Sequence, residues 1–214
     1  MTPPASSALQ IQPKESAARD ARRQSILAIA RDVFLAEGYA AASMSAIAAK
    51  VGGSKGTLYN YFPSKQALFA AVVREQCAKD QAELWSMDLQ TESVAETMIV
   101  LGRRVVRLML SDEVIAIHRM VVAECTRFPE IGEALYEAGP KQGKLPLIHY
   151  LSRCIEGGLL KPDDPERMAH HAGELVMAGL YRRRLWNVGP PPSDAEMDDN
   201  VEAAVRVFMA AYGA

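Results

Sequence analysis

Two adjacent glycines, Gly52 and Gly53, sit inside the run SMSAIAAKVGGSKGTLYNYFPSK at residues 43–65, and they restrict it to two short helices around a tight turn. Ser43 is a favoured N-cap, and Ile47, Ala48 and Val51 recur at helical spacing, so a helix is predicted from Met44 to Val51. Glycine takes left-handed backbone angles without steric cost, which ends it. Ser54 caps a second helix, predicted from Lys55 to Phe62, and Pro63 biases the residue before it out of helical geometry. That helix is too short to be stable alone and carries only Leu58 and Phe62 as clear core anchors.

The rest of its surface, Lys55, Thr57, Tyr59, Asn60 and Tyr61, is left to meet something else. Lysine supplies charge, hydroxyls bond phosphate oxygens, Gly56 lets a backbone approach, and the N–H groups at a helix start add an anion site. The pattern is that of a helix-turn-helix, although an ordinary helical hairpin in a bundle fits the same residues.

GGSKGTLYNYFPSKQALF, preceded by SMSAIAAKV and by a segment ending FLAEGY, resembles the DNA-binding domain of TetR-family transcriptional regulators over about residues 20 to 75. The resemblance implies that the Lys55–Phe62 helix reads DNA. It implies that Ser43, Ser54, Lys55, Gly56, Thr57, Tyr59, Asn60, Tyr61 and Lys65 fall where the family contacts the duplex. Gly53 departs from the pattern, which usually has an apolar residue there, often valine.

Charge is divided to match. Residues 1 to 70 hold eight Lys or Arg against four Asp or Glu, whereas the remainder holds 16 against 22. A basic head on an acidic body suits a DNA reader with a separate control domain and argues against a protein that coats nucleic acid indiscriminately. An apolar fraction of 49% supports a real core. Cys77, Cys125 and Cys154 are widely spaced with no CxxC, which points to buried free thiols in a reducing compartment. With no apolar run of membrane-spanning length and no signal-like start, the expected location is the cytoplasm, without a membrane partner.

The predicted fold is all-α: a disordered tail over 1–18, a three-helix helix-turn-helix domain over 19–80, and a larger helical regulatory and dimerisation domain over 81–214. The first helix is predicted from Arg19 to Glu37, with Ile26, Ala30, Val33 and Phe34 inward and Gly38 as its end. Arg22 and Arg23 lie near its start, where positive charge opposes the helix dipole, so an external anion such as DNA phosphate is one reading and a solvated surface cluster the other. Ser64 caps a helix reaching Leu84, and in the resembled family this helix links the head to the body. Further helices are predicted from the Ser93 and Glu96 capping box, over 112–127 up to Pro129, over 130–137, and from Pro140 to Ile155 with a kink or late start at Pro146. One helix capped by Asp164 carries Met168, Ala172, Leu175, Val176 and Gly179 and ends at Arg182 to Arg184; a last one starts at Ser193.

A single short helix in a groove makes few base contacts, so a homodimer through the last two helices is expected, bound to a double-stranded DNA operator. Eight of the ten methionines lie beyond residue 80, and methionine adapts to varied apolar ligands as well as filling core gaps. His118, Tyr136, His149, Tyr150 and Met177 are candidates to line a pocket for an unknown small-molecule effector. RMVVAECTRFPEIGEALYEAGP loosely resembles the regulatory half of the AcrR and AefR kind of TetR protein. The competing reading is a helical-bundle enzyme or metal protein using His170, His171 and Glu174. The order there is His-x-x-Glu and occurs once, and HExxH, GxSxG and glycine-rich phosphate loops are absent, so no cofactor is implied.

Overall fold

The structure, a computed structural model, describes residues 13–86 and 93–214; most of the expected tail lies outside the described residues. Eleven α-helices follow one another among the described residues: α1 Pro13–Ala41, α2 Met44–Val51, α3 Lys55–Tyr61, α4 Lys65–Leu84, α5 Val94–Met109, α6 Asp112–Glu124, α7 Pro129–Tyr136, α8 Leu145–Glu156, α9 Pro165–Val176, α10 Leu180–Leu185 and α11 Asp194–Tyr212. They form two compact units that divide within α4, between Val72 and Val73. No helix among the described residues is long and apolar enough to cross a membrane.

In the first unit α1 begins at Pro13, not Arg19, and reaches Ala41 with one left-handed residue inside, Gly38 at φ 77°. Its inward face, Ile26, Ala30, Val33 and Phe34, is buried as expected. Phe34, Tyr39 and Phe69 pack as an aromatic trio with centroids 5.2–5.8 Å apart, tying the end of α1 to α4. Such rings contribute about 1 kcal/mol per pair beyond the area they bury. Leu58 and Phe62, the only large anchors of α3, are both buried.

In the second unit α5, α9 and α11 share the core with α8. They approach tightly at Gly102, where an added Cβ would lie 2.8 Å from Val201 Cγ1 and 3.3 Å from Val176 Cγ1. Beside it Arg103 pairs with Asp198 and Glu202, and Arg107 with Asp194 and Asp198, so α11 is held to α5 by packing and by charge. Caps fall where the sequence puts them: Ser93 accepts from Glu96 N, Asp164 from Glu166 N and Ser193 from Glu196 N.

Several boundaries differ from expectation. The helix expected over 112–127 stops at Glu124, and Pro129 opens α7 as well as closing off its predecessor, because a missing N–H costs nothing in a first turn. Pro140 lies in a π-helical turn, Glu137–Lys141, and α8 takes the late start, with Pro146 in its first turn. The helix from Asp164 ends at Val176; Gly179, at φ 77°, turns the chain into the separate α10. Of the cysteines, all free, only Cys154 is fully buried; Cys77 and Cys125 are half-buried.

Candidate nucleic-acid interface and ligand cavity

The turn between α2 and α3 is built by local hydrogen bonds. Ser43 Oγ accepts from Ala46 N at 3.1 Å and starts α2. Gly52, left-handed at φ 70°, closes it, with Gly52 N bonded to Ala49 O and Gly53 N to Ala48 O. Ser54 Oγ accepts from Thr57 N at 3.1 Å and bonds the Thr57 hydroxyl at 2.9 Å, fixing the first turn of α3. The result is a short helix that presents Ser54, Lys55, Gly56, Thr57, Tyr59 and Asn60 outward, all exposed, with Tyr61 half-buried. Lys55 Nζ hovers 5.9 Å from the Tyr59 ring centroid and makes no hydrogen bond or ion pair among the described residues. That face offers an exposed cation, hydroxyls and an amide on one short helix, the inventory that meets phosphates and base edges in a major groove.

Three of the expected DNA contacts also make contacts within the protein. Lys65 Nζ donates to the backbone carbonyls of Tyr39, Ala40 and Ala42 at 2.7, 3.2 and 3.1 Å and stands 4.5 Å over the Tyr39 ring. Its charge caps the C-terminal end of α1, where cations are favoured. Arg22 Nη2 donates to Val51 O at 3.0 Å, pinning the end of α2 to α1. Arg23 stacks over Phe62 at 5.6 Å and Arg19 over Tyr61 at 5.9 Å. The residue missing from Gly53 bears on this: a Cβ there would come within 3.2 Å of Arg22 Nη2, so the bare glycine gives the guanidinium room.

The second unit contains a cavity of about 320 Å³, all of its lining drawn from that unit. Its walls are largely apolar, with Leu84, Trp85, Leu101, Val105, Met109, Ile117 and Leu147 among them. His118 and Met177 line it. The other three candidates do not: Tyr136 is 56% exposed, His149 lies on an exposed face, and Tyr150 is in the core. Burial pushes the Tyr150 hydroxyl up to about 12. Polar groups unforeseen in the sequence line the cavity from α4: Gln76, Cys77, Asp80 and Gln81. Gln76 Nε2 donates to Asp80 Oδ1 at 2.9 Å, and burial, with help from Glu113 and Glu83, raises the Asp80 carboxyl. Cys77 is likewise pushed up to about 11, mainly by burial, which makes it an unreactive thiol. His118 Nδ1 and the Tyr181 hydroxyl share a hydrogen bond at 2.8 Å, and burial lowers the His118 pKa.

Of the metal-reading trio, His170 and Glu174 line the cavity while His171 bonds the Tyr212 hydroxyl on α11. Among the described residues no group of three or more His, Cys, Asp or Glu is arranged to hold a metal. The arginines at the end of the expected helix are paired: Arg183 with Glu196, and Arg184 with Asp112 and the Leu110 carbonyl.

Comparison with known proteins agrees with this geometry. Residues 26–72 match the model for bacterial regulatory proteins of the tetR family, and residues 96–214, more than half the chain, match the AefR-like transcriptional repressor C-terminal domain. The chain is 27% identical over 188 residues to the HTH-type transcriptional repressor AcnR of Corynebacterium efficiens, covering 86% of this chain and 92% of that protein. Among solved structures, a TetR-family transcriptional regulator from Mesorhizobium loti superposes with a TM-score of 0.81 at 25% identity, covering 91% of this chain and 98% of the other. The flavonoid-responsive regulator FrrA gives the same TM-score and coverage at 28% identity. The chain therefore belongs to the TetR family of DNA-binding transcriptional regulators, with a helix-turn-helix head and an AefR-like regulatory domain.

Proposed function

We propose that this protein is a cytoplasmic repressor that binds a palindromic operator as a homodimer and lets go when a small molecule occupies the cavity of its second unit. The observation that carries the reading is the exposed face of α3, with Lys55 unengaged by any hydrogen bond or ion pair among the described residues and Tyr59 and Asn60 turned outward. Ser43, Ser54, Lys55, Gly56, Thr57, Tyr59, Asn60 and Tyr61 are the proposed DNA contacts. Lys65 and Arg22 position the motif from behind, and Arg23 borders it.

One α3 reads too little sequence for specific binding, so two copies are paired by a two-fold axis, about 34–36 Å apart, one turn of DNA. The proposed dimer surface lies on α9, α10 and α11. Support comes from Val207, 54% exposed on α11, and from Trp186 and Val188, 68% and 54% exposed just beyond α10, apolar area that a second copy would cover. Repressor relatives such as AcnR support the sign of regulation, and the flavonoid-responsive FrrA supports a small-molecule effector.

Release would run through α4. Gln76, Cys77, Asp80, Gln81 and Leu84 line the cavity, and the same helix carries Leu68 and Phe69, buried in the head. A ligand that prefers one setting of α4 shifts the population of dimers whose heads match the operator, by no more than its differential affinity for the two states. The test is selection of bound genomic fragments followed by competition with unrelated duplex at fixed salt. A repressor of this kind discriminates by about 10³ or more. Equal affinity for all duplexes would refute specific recognition.

A further inference from the structure

The cavity's charge identifies the kind of molecule it takes, granted that it is the effector site. Its lining holds two carboxylates, Asp80 on α4 and Glu174 on α9, against one lysine, Lys144, two histidines, His118 and His170, and no arginine. Among the described residues neither carboxylate has a Lys or Arg within ion-pair distance, while Arg103, Arg107, Arg167, Arg183 and Arg184 all have acidic partners elsewhere in the unit. The Asp80 carboxylate accepts a hydrogen bond from the neutral Gln76 amide, and the favourable charge near it, Lys79, is ion-paired with Glu75. Filling the space with an apolar body strips water from both carboxylates, and a buried unpaired carboxylate is costly unless an opposite charge arrives with the ligand. An anionic ligand would meet two like charges, with one lysine as the only permanent cation in the lining. Trp85 also lines the cavity, and an indole is the best aromatic neighbour for a cation.

We infer that the effector is a hydrophobic organic cation, an amine or quaternary ammonium on an aromatic or branched apolar body, its charge met by Asp80, Glu174 and the Trp85 ring and its body by apolar walls such as Leu84, Val105 and Met109. The volume of about 320 Å³ sets it at the small end of ligand pockets, roughly 300–1,000 Å³.

The test uses three fluorescent probes of similar size on the full-length protein. Thioflavin T is the cation, the uncharged benzothiazole lacking its N-methyl group is the neutral form, and 1-anilinonaphthalene-8-sulfonate is the anion. The expected result is that thioflavin T binds about tenfold or more tightly than either other probe, as for a charge-assisted contact. Asp80→Asn, which keeps an oxygen to accept from Gln76, abolishes that preference while the neutral probe still binds, showing that the cavity has kept its fold; Glu174→Gln reduces it. Val105→Trp, which fills the space, weakens all three probes. Equal or tighter binding of the neutral or anionic probe, or a preference untouched by Asp80→Asn and Glu174→Gln, overturns the charge assignment but leaves the cavity as effector site. Binding unaffected by Val105→Trp, or no binding of any probe, overturns both.

Discussion

Lys65→Met removes an ammonium and keeps the apolar stem, which makes it a clean probe of what Lys65 does. In the structure that ammonium donates to three carbonyls at the end of α1, at 2.7, 3.2 and 3.1 Å. Hydrogen bonds to a charged group contribute about 1.5–3 kcal/mol each when buried, but one ammonium cannot count three times and Lys65 is half-exposed. Ala40 is exposed, so water replaces the lysine at its carbonyl, leaving Tyr39 O and Ala42 O as the groups that lose a partner. The net loss should be about 2 kcal/mol, or roughly 30-fold in the local opening equilibrium. Both tryptophans, Trp85 and Trp186, lie in the second unit, so intrinsic fluorescence would miss this event. Hydrogen exchange followed by mass spectrometry on peptides spanning 39–51 reads it directly: exchange there accelerates while α9 and α11 are unchanged. If exchange stayed at the wild-type rate and operator affinity fell as it does on loss of an exposed phosphate contact, Lys65 would be a DNA ligand and its assignment as a positioning residue would be wrong.

Lys55→Ala should do the reverse, leaving exchange over 39–51 unaltered, weakening operator and non-operator binding alike, and making the slope of log affinity against log salt shallower by about one in nuclease-free gel-shift titrations. Gly102→Ala should destabilise the second unit by about 1–3 kcal/mol in urea melts followed by tryptophan fluorescence, because its Cβ would lie 2.8 Å from Val201 Cγ1 and α11 cannot retreat without opening the core. The pH dependence of the same unit follows from His118, whose pKa is lowered by burial. The unfolded chain takes the proton first, so stability is intact above about pH 6.5 and declines as pH falls below it towards the folded value. His118→Gln should flatten the slope of melting temperature against pH in that window.

What the sequence disclosed best is what local chemistry decides. Ser43, Gly52, Ser54 and Pro63 each act on residues within one turn, and α2, its turn and α3 follow from them almost residue by residue. Roles that depend on distant partners were opaque. Nothing near Lys65 in the chain announces carbonyls 23 to 26 residues away, nor near Arg22 a carbonyl 29 away. The cavity was half-legible for a different reason. Tyr150 shares a helical face with Leu147 and Cys154 and so goes into the core, but the phase of α8 is set by a start at Leu145 that the two prolines left open. Asp80 carries a signal in the sequence: with Gln76 it puts two polar groups four residues apart on α4, where they bond each other at the cavity wall. Gly179 was a second such signal. Counted as a small packing residue, it is a left-handed break, and the helix it divides is two helices.

Operator recognition requires the exposed face of α3 to enter the major groove in two symmetry-related copies. Hydroxyl-radical footprinting of the full-length protein on an operator recovered by genomic selection measures this most directly. The prediction is two protected patches related by a two-fold, centred about one helical turn apart, both lost on replacing Tyr59 and Asn60 with alanine while the protein keeps its far-ultraviolet circular dichroism. A single unpaired patch, or protection that survives the double replacement, would contradict it.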